Sequence, residues 1–135
     1  MAKVRKVKYF MANLDDKPGA LLKIMQDLKT KNLGLFGLWG FGTHEGKAQL
    51  FVVAKNTDKL RDEWKDSGLL AKEGTGFLVK GLDQTGALIN ILEKLSSSGI
   101  NIHAIDAIAV GSNFGSFFWV QESDVEKAAK VLGVN

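Results

Sequence analysis

The sequence contains no cysteine, one proline, two histidines and one tyrosine among its 135 residues. Without cysteine the chain can form no disulfide, thiolate-bound zinc site, iron–sulfur cluster or thiol nucleophile. With His44 and His103 as its only imidazoles, a multi-histidine metal site within one chain is all but excluded. No apolar run approaches the length of a membrane span, and Met1-Ala2-Lys3-Val4-Arg5-Lys6 leads into no apolar signal-peptide core. We therefore expect a cytoplasmic protein without membrane contact, metal or cofactor. No catalytic triad, phosphate-binding glycine loop or metal motif is present either. The acidic pairs Asp15–Asp16 and Asp62–Glu63 read as solvated turns and helix faces rather than as acid–base machinery. We expect no enzyme.

What is present is an ordinary globular composition, with 45% hydrophobic and 24% charged residues. The formal charge of +3 is unevenly spread. Residues 1–67 carry 13 basic and 8 acidic groups, and residues 68–135 carry 5 and 7. Lys3, Arg5, Lys6 and Lys8 account for much of the excess, and a short basic segment at one end suits solubility better than a nucleic-acid face.

The chain repeats itself at a 67-residue offset. Asp16-Lys17-Pro18-Gly19-Ala20-Leu21 falls on Asp83-Gln84-Thr85-Gly86-Ala87-Leu88, Ile24 on Ile91, Leu28 on Leu95, and Leu33 on Ile100. The same offset carries on without a gap to Phe51 on Phe118 and Val53 on Val120. A unit of this size buries only about 60% of its unfolded surface, so two copies are expected to pack together. We place them at residues 1–72 and 73–135.

Periodicity orders the elements. Val7–Leu14 and Phe77–Leu82 read as first strands. Leu21, Ile24 and Leu28, and Leu88, Ile91 and Leu95, recur at helical spacing, with Pro18 suited to a first helical turn. Asn32 and Gly99 stand where a helix ends in the left-handed conformation. Leu33–Gly42 with Lys47–Ala54, and Ile100–Val110 with Phe114–Gln121, read as hairpins. Asp58–Ser67 and Asp124–Leu132 are second helices, with Asn56 or Thr57 and Ser123 as N-caps. Leu69–Lys72 could supply a fourth strand to the first copy, whereas Val134 and Asn135 are too few to supply one to the second. The second copy should therefore present an uncovered sheet edge, a reason to expect a homodimer. The predicted class is α+β: ferredoxin-like βαββαβ units in tandem, each an antiparallel sheet with its helices on one face.

The segment Asp16-Lys17-Pro18-Gly19-Ala20-Leu21, with Asn32-Leu33-Gly34-Leu35 after its helix, resembles the opening of an ACT domain. Asp83-Gln84-Thr85-Gly86-Ala87-Leu88 and Gly99-Ile100-Asn101-Ile102 match it again, with Thr85 in place of proline. The resemblance covers essentially the whole chain. It implies a non-catalytic regulatory protein that binds a small ligand, most often an amino acid, where two units meet, and that modulates a separate effector protein. It places ligand contacts at Asp16, Pro18, Gly19, Ala20 and Leu21, and again at Asp83, Gly86, Ala87 and Leu88. The family's serine-binding members use an Asn or Asp before x-Pro-Gly and an Asn near the second strand. By register those roles fall on Asp16 and Asp83, and on Asn101 and Gly34; Gly34 has no side chain to offer. Leu14 and Gly81 stand where some members carry histidine. Unequal sites are the expectation.

The physical basis is that a helix N-terminus offers unpaired amides and partial positive charge to a carboxylate, and Gly19 and Gly86 would let a ligand approach them. A tight strand-to-helix turn would explain the same glycines. Gly37, Gly40 and Gly42, interleaved with Phe36, Trp39 and Phe41, are either a flexible wall beside an apolar pocket or core and subunit contacts. His103 and Asp106 are candidate polar contacts for a ligand ammonium, or ordinary surface residues. Two other functions share this element order. Phe114-Gly115-Ser116-Phe117-Phe118-Trp119 superficially matches the aromatic third strand of RNA-binding modules, although one of its alternating pairs must face the helices. A ligand-free scaffold is the other.

Overall fold

The computed structural model describes residues 2–135. The elements run β1 (Lys3–Asp15), α1 (Ala20–Thr30), β2 (Leu35–Gly42), β3 (Lys47–Ala54), α2 (Thr57–Asp66), β4 (Lys72–Leu82), α3 (Ile89–Ser97), β5 (Ile102–Val110), β6 (Asn113–Val120) and α4 (Val125–Leu132). The class is α+β, as the periodicity requires. The chain divides into two compact units, Lys8–Gly74, and Thr75–Asn135 together with the residues up to Val7. Strands β1 and β4 each run through both.

In the unit Lys8–Gly74 the strands lie in the order β2-β3-β1, with the start of β4 beside β1. Phe10, Ala12, Leu50, Val52 and Ala54 alternate onto one face, and the helices cover it with Ile24, Leu28, Leu60 and Trp64. Trp64 is only 2% exposed. Asn56 caps α2, its side chain accepting from the Lys59 amide at 3.1 Å. In the other unit the order is β5-β6-β4, with the first residues of β1 outside β4. Phe77, Val79, Phe114, Phe118 and Val120 face Ile91, Leu95, Val125, Ala128 and Ala129, and Ala2 and Val4 pack against that core.

This placement of β1 corrects two expectations. The fourth strand judged absent from the second copy is supplied by residues 3–7. The basic run that suits solubility is also strand: Val4 covers the core and Lys6 reaches Glu126 at 3.5 Å. The sheet edge invoked for a dimer is therefore occupied. Of Leu69–Lys72 only the end joins the first copy's sheet, where the Ala71 amide donates to the Met11 carbonyl of β1. The amides of Leu69 and Leu70 both donate to the Trp64 carbonyl, and the strand begins at Lys72.

The repeat is not gapless. Phe10 pairs with Val52, whereas its counterpart Phe77 pairs with Phe118, so the third strands are related by 66 residues instead of 67. The hairpin turn is one residue shorter in the second copy. Pro18 lies ahead of α1, which starts after Gly19 at φ 90°. Ser123 is no N-cap; it sits inside a 3-10 turn, Glu122–Asp124, that precedes α4. The helix ends do follow the sequence. Asn32 (φ 55°) and Gly99 (φ 72°) are left-handed, and Leu33 and Ile100 donate back to the carbonyls of Leu28 and Leu95.

Arg61 of α2 ties that helix to the start of β4. Its Nε and Nη2 donate to both carboxylate oxygens of Glu73, at 2.6 and 2.9 Å, and Nη1 donates to Asp58. These bonds from Arg61 hold the Glu73 carboxyl below its ordinary value. A lowered carboxyl pKa contributes stability above the unfolded value of about 4.3 and loses it as pH falls through the folded value. Glu73→Gln should lower the thermal midpoint by a few degrees at pH 7, with the gap from the parent protein closing as pH falls below about 4. Melting curves across pH 3–7 check this; a gap that persists at pH 3 would refute the linkage.

Candidate functional site

Each unit has a cleft where its first strand turns into its first helix. In the unit Lys8–Gly74 the cleft has a volume of about 310 Å³ and is lined by Leu14–Lys17, Ala20, Leu21, Leu38, Gly40–Gly42 and Ala48–Leu50. In the other unit it also measures about 310 Å³, with Asp83, Gln84, Gly86–Ile89, Leu92, Ala107–Ala109 and Phe114 around it. Asp16/Asp83, Lys17/Gln84, Ala20/Ala87, Leu21/Leu88, Gly40/Ala107, Phe41/Ile108 and Gly42/Ala109 are equivalent pairs at the 67-residue offset. Ala48 and Phe114 correspond at the 66-residue offset of the third strands.

The turn is built alike in both. The Asp16 amide donates to the Gly46 carbonyl at 2.8 Å, and the Asp83 amide to the Ser112 carbonyl at 2.9 Å, pinning each turn to its unit's hairpin. Gly19 and Gly86 adopt φ of 90° and 79°. A Cβ on Gly19 would meet nothing within 4 Å, so the turn's left-handed backbone, rather than lack of room, demands glycine there. The amides of Gly19 and Leu21, and of Gly86 and Leu88, find no acceptor among the described residues.

The charges differ. Asp15 accepts from Lys47 Nζ at 3.0 Å and lies 3.9 Å from Lys17 Nζ. The hydrogen bond from Lys47, then the fields of Lys47 and Lys17, hold the Asp15 carboxyl below its ordinary value. Asp16 and Asp83 make no ion pair among the described residues. The Asp16 carboxylate lies against Gly42 in the cleft lining, Oδ2 standing 2.6 Å from where a Gly42 Cβ would be.

Of the residues singled out from the sequence, Asp16, Ala20 and Leu21 come together in one cleft, and Asp83, Gly86, Ala87 and Leu88 in the other. Pro18 and Gly19 shape the first turn without lining its cleft. Gly34 and Asn101 stand past the far ends of α1 and α3. Gly34 lies against the Lys55 side chain, and Asn101 lines a groove with Leu92, Leu95, Ser96 and Gly99. His103 is exposed on β5, and Asp106 accepts from the Phe117 amide at 3.0 Å. Of the glycine-punctuated aromatics, Trp39 and Phe41 stack on Phe51 at 5.7 and 5.8 Å, and Phe41 also rims the cleft. Sequence reasoning missed several lining residues, among them Gln84, Ile89, Leu92, Ala107, Ile108, Ala109 and Phe114. The repeat offset could have found the two alanines from Gly40 and Gly42; the one-residue deletion hid Phe114.

No family model matches the sequence, and neither does any curated protein. Among solved structures, a Bacteroides thetaiotaomicron protein superposes with a TM-score of 0.78 at 20% identity, over 96% of this chain and 88% of that one. The ligand-free regulatory subunit of aspartate kinase from Thermus thermophilus is similar over 98% of this chain and 94% of its own, with TM-score 0.63 and 12% identity. Aspartate kinase from Clostridium acetobutylicum, described as an allosteric enzyme, matches 97% of this chain across 33% of its own length, with TM-score 0.56 and 19% identity. At these identities the likeness is one of fold. The chain shares its fold with these structures, a regulatory subunit of aspartate kinase among them.

Proposed function

We propose that this chain is a non-catalytic regulatory protein, two ferredoxin-like ACT units in tandem, that binds an amino acid in the clefts at its strand-to-helix turns and modulates a separate partner. The observation that carries this reading is the duplicated cleft. Two units whose sequences have drifted apart keep the same cleft volume, eight equivalent lining positions and, at the same place, an aspartate without an ion pair among the described residues. An aspartate in a small cleft at a turn that leads into a helix N-terminus suits a ligand bearing both an ammonium and a carboxylate. The regulatory subunits of similar fold support the same role.

A thermal-shift screen against the twenty amino acids, followed by calorimetry on each hit, tests it. Ligand at a hundred times its dissociation constant adds about 2.7 kcal/mol, a shift of several degrees. Asp16→Ala combined with Asp83→Ala should abolish the shift while leaving the unliganded midpoint within a few degrees. A flat screen would overturn the reading.

We also read the exposed apolar surface beside each cleft as the place where a second copy docks. Leu22, Met25, Leu38 and Phe41 in one unit correspond to Ile89, Leu92, Ile105 and Ile108 in the other, and all eight are exposed. Sedimentation should give a two-chain mass that Ile108→Lys lowers. RNA binding is not favoured: Phe117 is 3% exposed and offers no face to a base, and Phe118 is core.

A further inference from the structure

The two clefts share a frame but differ through paired substitutions. In the unit Lys8–Gly74, Leu14 pairs across the strands with Ala48; in the other unit the corresponding partners are Gly81 and Phe114. The bulk has crossed from one strand to its neighbour, since a Cβ on Gly81 would lie 2.7 Å from Phe114 Cε1. The floor of one cleft is therefore aliphatic and that of the other an aromatic ring. The next pair changes as well: Asp15 with Lys47 becomes Leu82 with Asn113, and Lys17 becomes Gln84. One cleft thus holds Asp15, Asp16 and Lys17, with Lys47 paired to Asp15, among apolar side chains that include Leu21, Leu38 and Leu50. The other holds Asp83 as its only charge, among Leu88, Ile89, Leu92, Ile108 and Phe114.

From this we infer that the clefts take different ligands. The Asp83 cleft binds an amino acid with a branched or aromatic hydrocarbon side chain, seated on Phe114. The Asp16 cleft binds one with a polar side chain, its charges matched by Asp16 and Lys17. The inference rests on the reading that both clefts hold amino acids. Lys17 and the Asp15–Lys47 pair give a polar side chain partners in the Asp16 cleft, whereas Gln84, Leu82 and Asn113 in their places leave it largely unpaired in the other and favour hydrocarbon on Phe114.

The test is calorimetry of the full chain with leucine, isoleucine and phenylalanine as one probe set, and serine, threonine and asparagine as the other. The expected result is one site per chain for the better member of each set, with both bound together. Phe114→Leu should weaken the hydrocarbon ligand about tenfold, and Ala109→Asp, on the exposed wall across from Phe114, should weaken it likewise and so serves where the core change disturbs folding. Neither should alter the polar ligand. Lys17→Gln should do the reverse. A single amino acid filling both clefts with equal affinity, or variants of both clefts weakening the same ligand, would overturn the inference and leave the proposed function standing. Absence of binding by any of the twenty amino acids would remove the proposed function, and this inference with it.

Discussion

Replacing Gly76 with valine should destabilise the protein by about 3 kcal/mol, the upper end for overpacking a well-filled site. Gly76 lies on β4 in the unit that contains Phe117 and Phe118. A Cβ there would run into the Phe117 ring and stand 2.9 Å from the Phe118 carbonyl oxygen. The ring is itself buried, and the carbonyl belongs to the strand hydrogen-bonded to β4, so neither can swing aside as a surface lysine could. Gly115, on β6 of the same unit, is the internal comparison. Its nearest neighbour to an added Cβ is the Val79 carbonyl at 3.8 Å, an ordinary contact. Gly115→Ala should therefore change stability by less than about 1 kcal/mol, with any change favourable because a strand glycine is entropically costly. Urea unfolding of both variants gives the answer. Equal losses would mean that the close approach at Gly76 is not a constraint.

The second large effect is expected from deleting residues 1–7. The unit holding Thr75–Asn135 would lose its outer strand, the apolar cover from Ala2 and Val4, and the Lys6–Glu126 ion pair. Hydrogen exchange should show β4 amides from Thr75 onward losing protection, while the core of Lys8–Gly74, centred on Trp64, stays protected. The bared edge should also make the truncated protein associate at high concentration. Unchanged exchange along β4 would show that the opening strand contributes nothing there.

Much of this architecture was legible in the sequence because its signals are local. Helical spacing at Ile24/Leu28 and Ile91/Leu95, and left-handed residues at Asn32 and Gly99, fix helices and their ends through contacts a few residues apart. The second copy's fourth strand was not legible, because its evidence is long-range. Lys3–Val7 has no compelling pattern of its own and becomes strand only beside β4, some seventy residues later. The candidate site divides the same way. The aspartates and glycines of the turns announce themselves, whereas Phe114 joins its cleft through a one-residue deletion in a hairpin. That deletion displaces the alignment without touching the turn. Gly34 and Asn101 were placed by resemblance alone, and each stands beyond the helix end opposite the cleft of its own unit.

The division of β1 between the two compact units bears on the order in which the chain can fold as it is synthesised. Lys8–Gly74 is continuous, and once Gly74 has left the ribosome every strand of that unit is available. The other unit must wait for α4 to emerge and then recruit a segment made long before, closing a loop that spans most of these residues. Such a closure is slow because its entropy is lost before most of its contacts form. Throughout that interval, residues 3–7 of one nascent chain and the waiting β4 of another are mutually compatible. On crowded polysomes, exchange of that strand between chains is therefore a misassembly that the slow closure of the last strand leaves open.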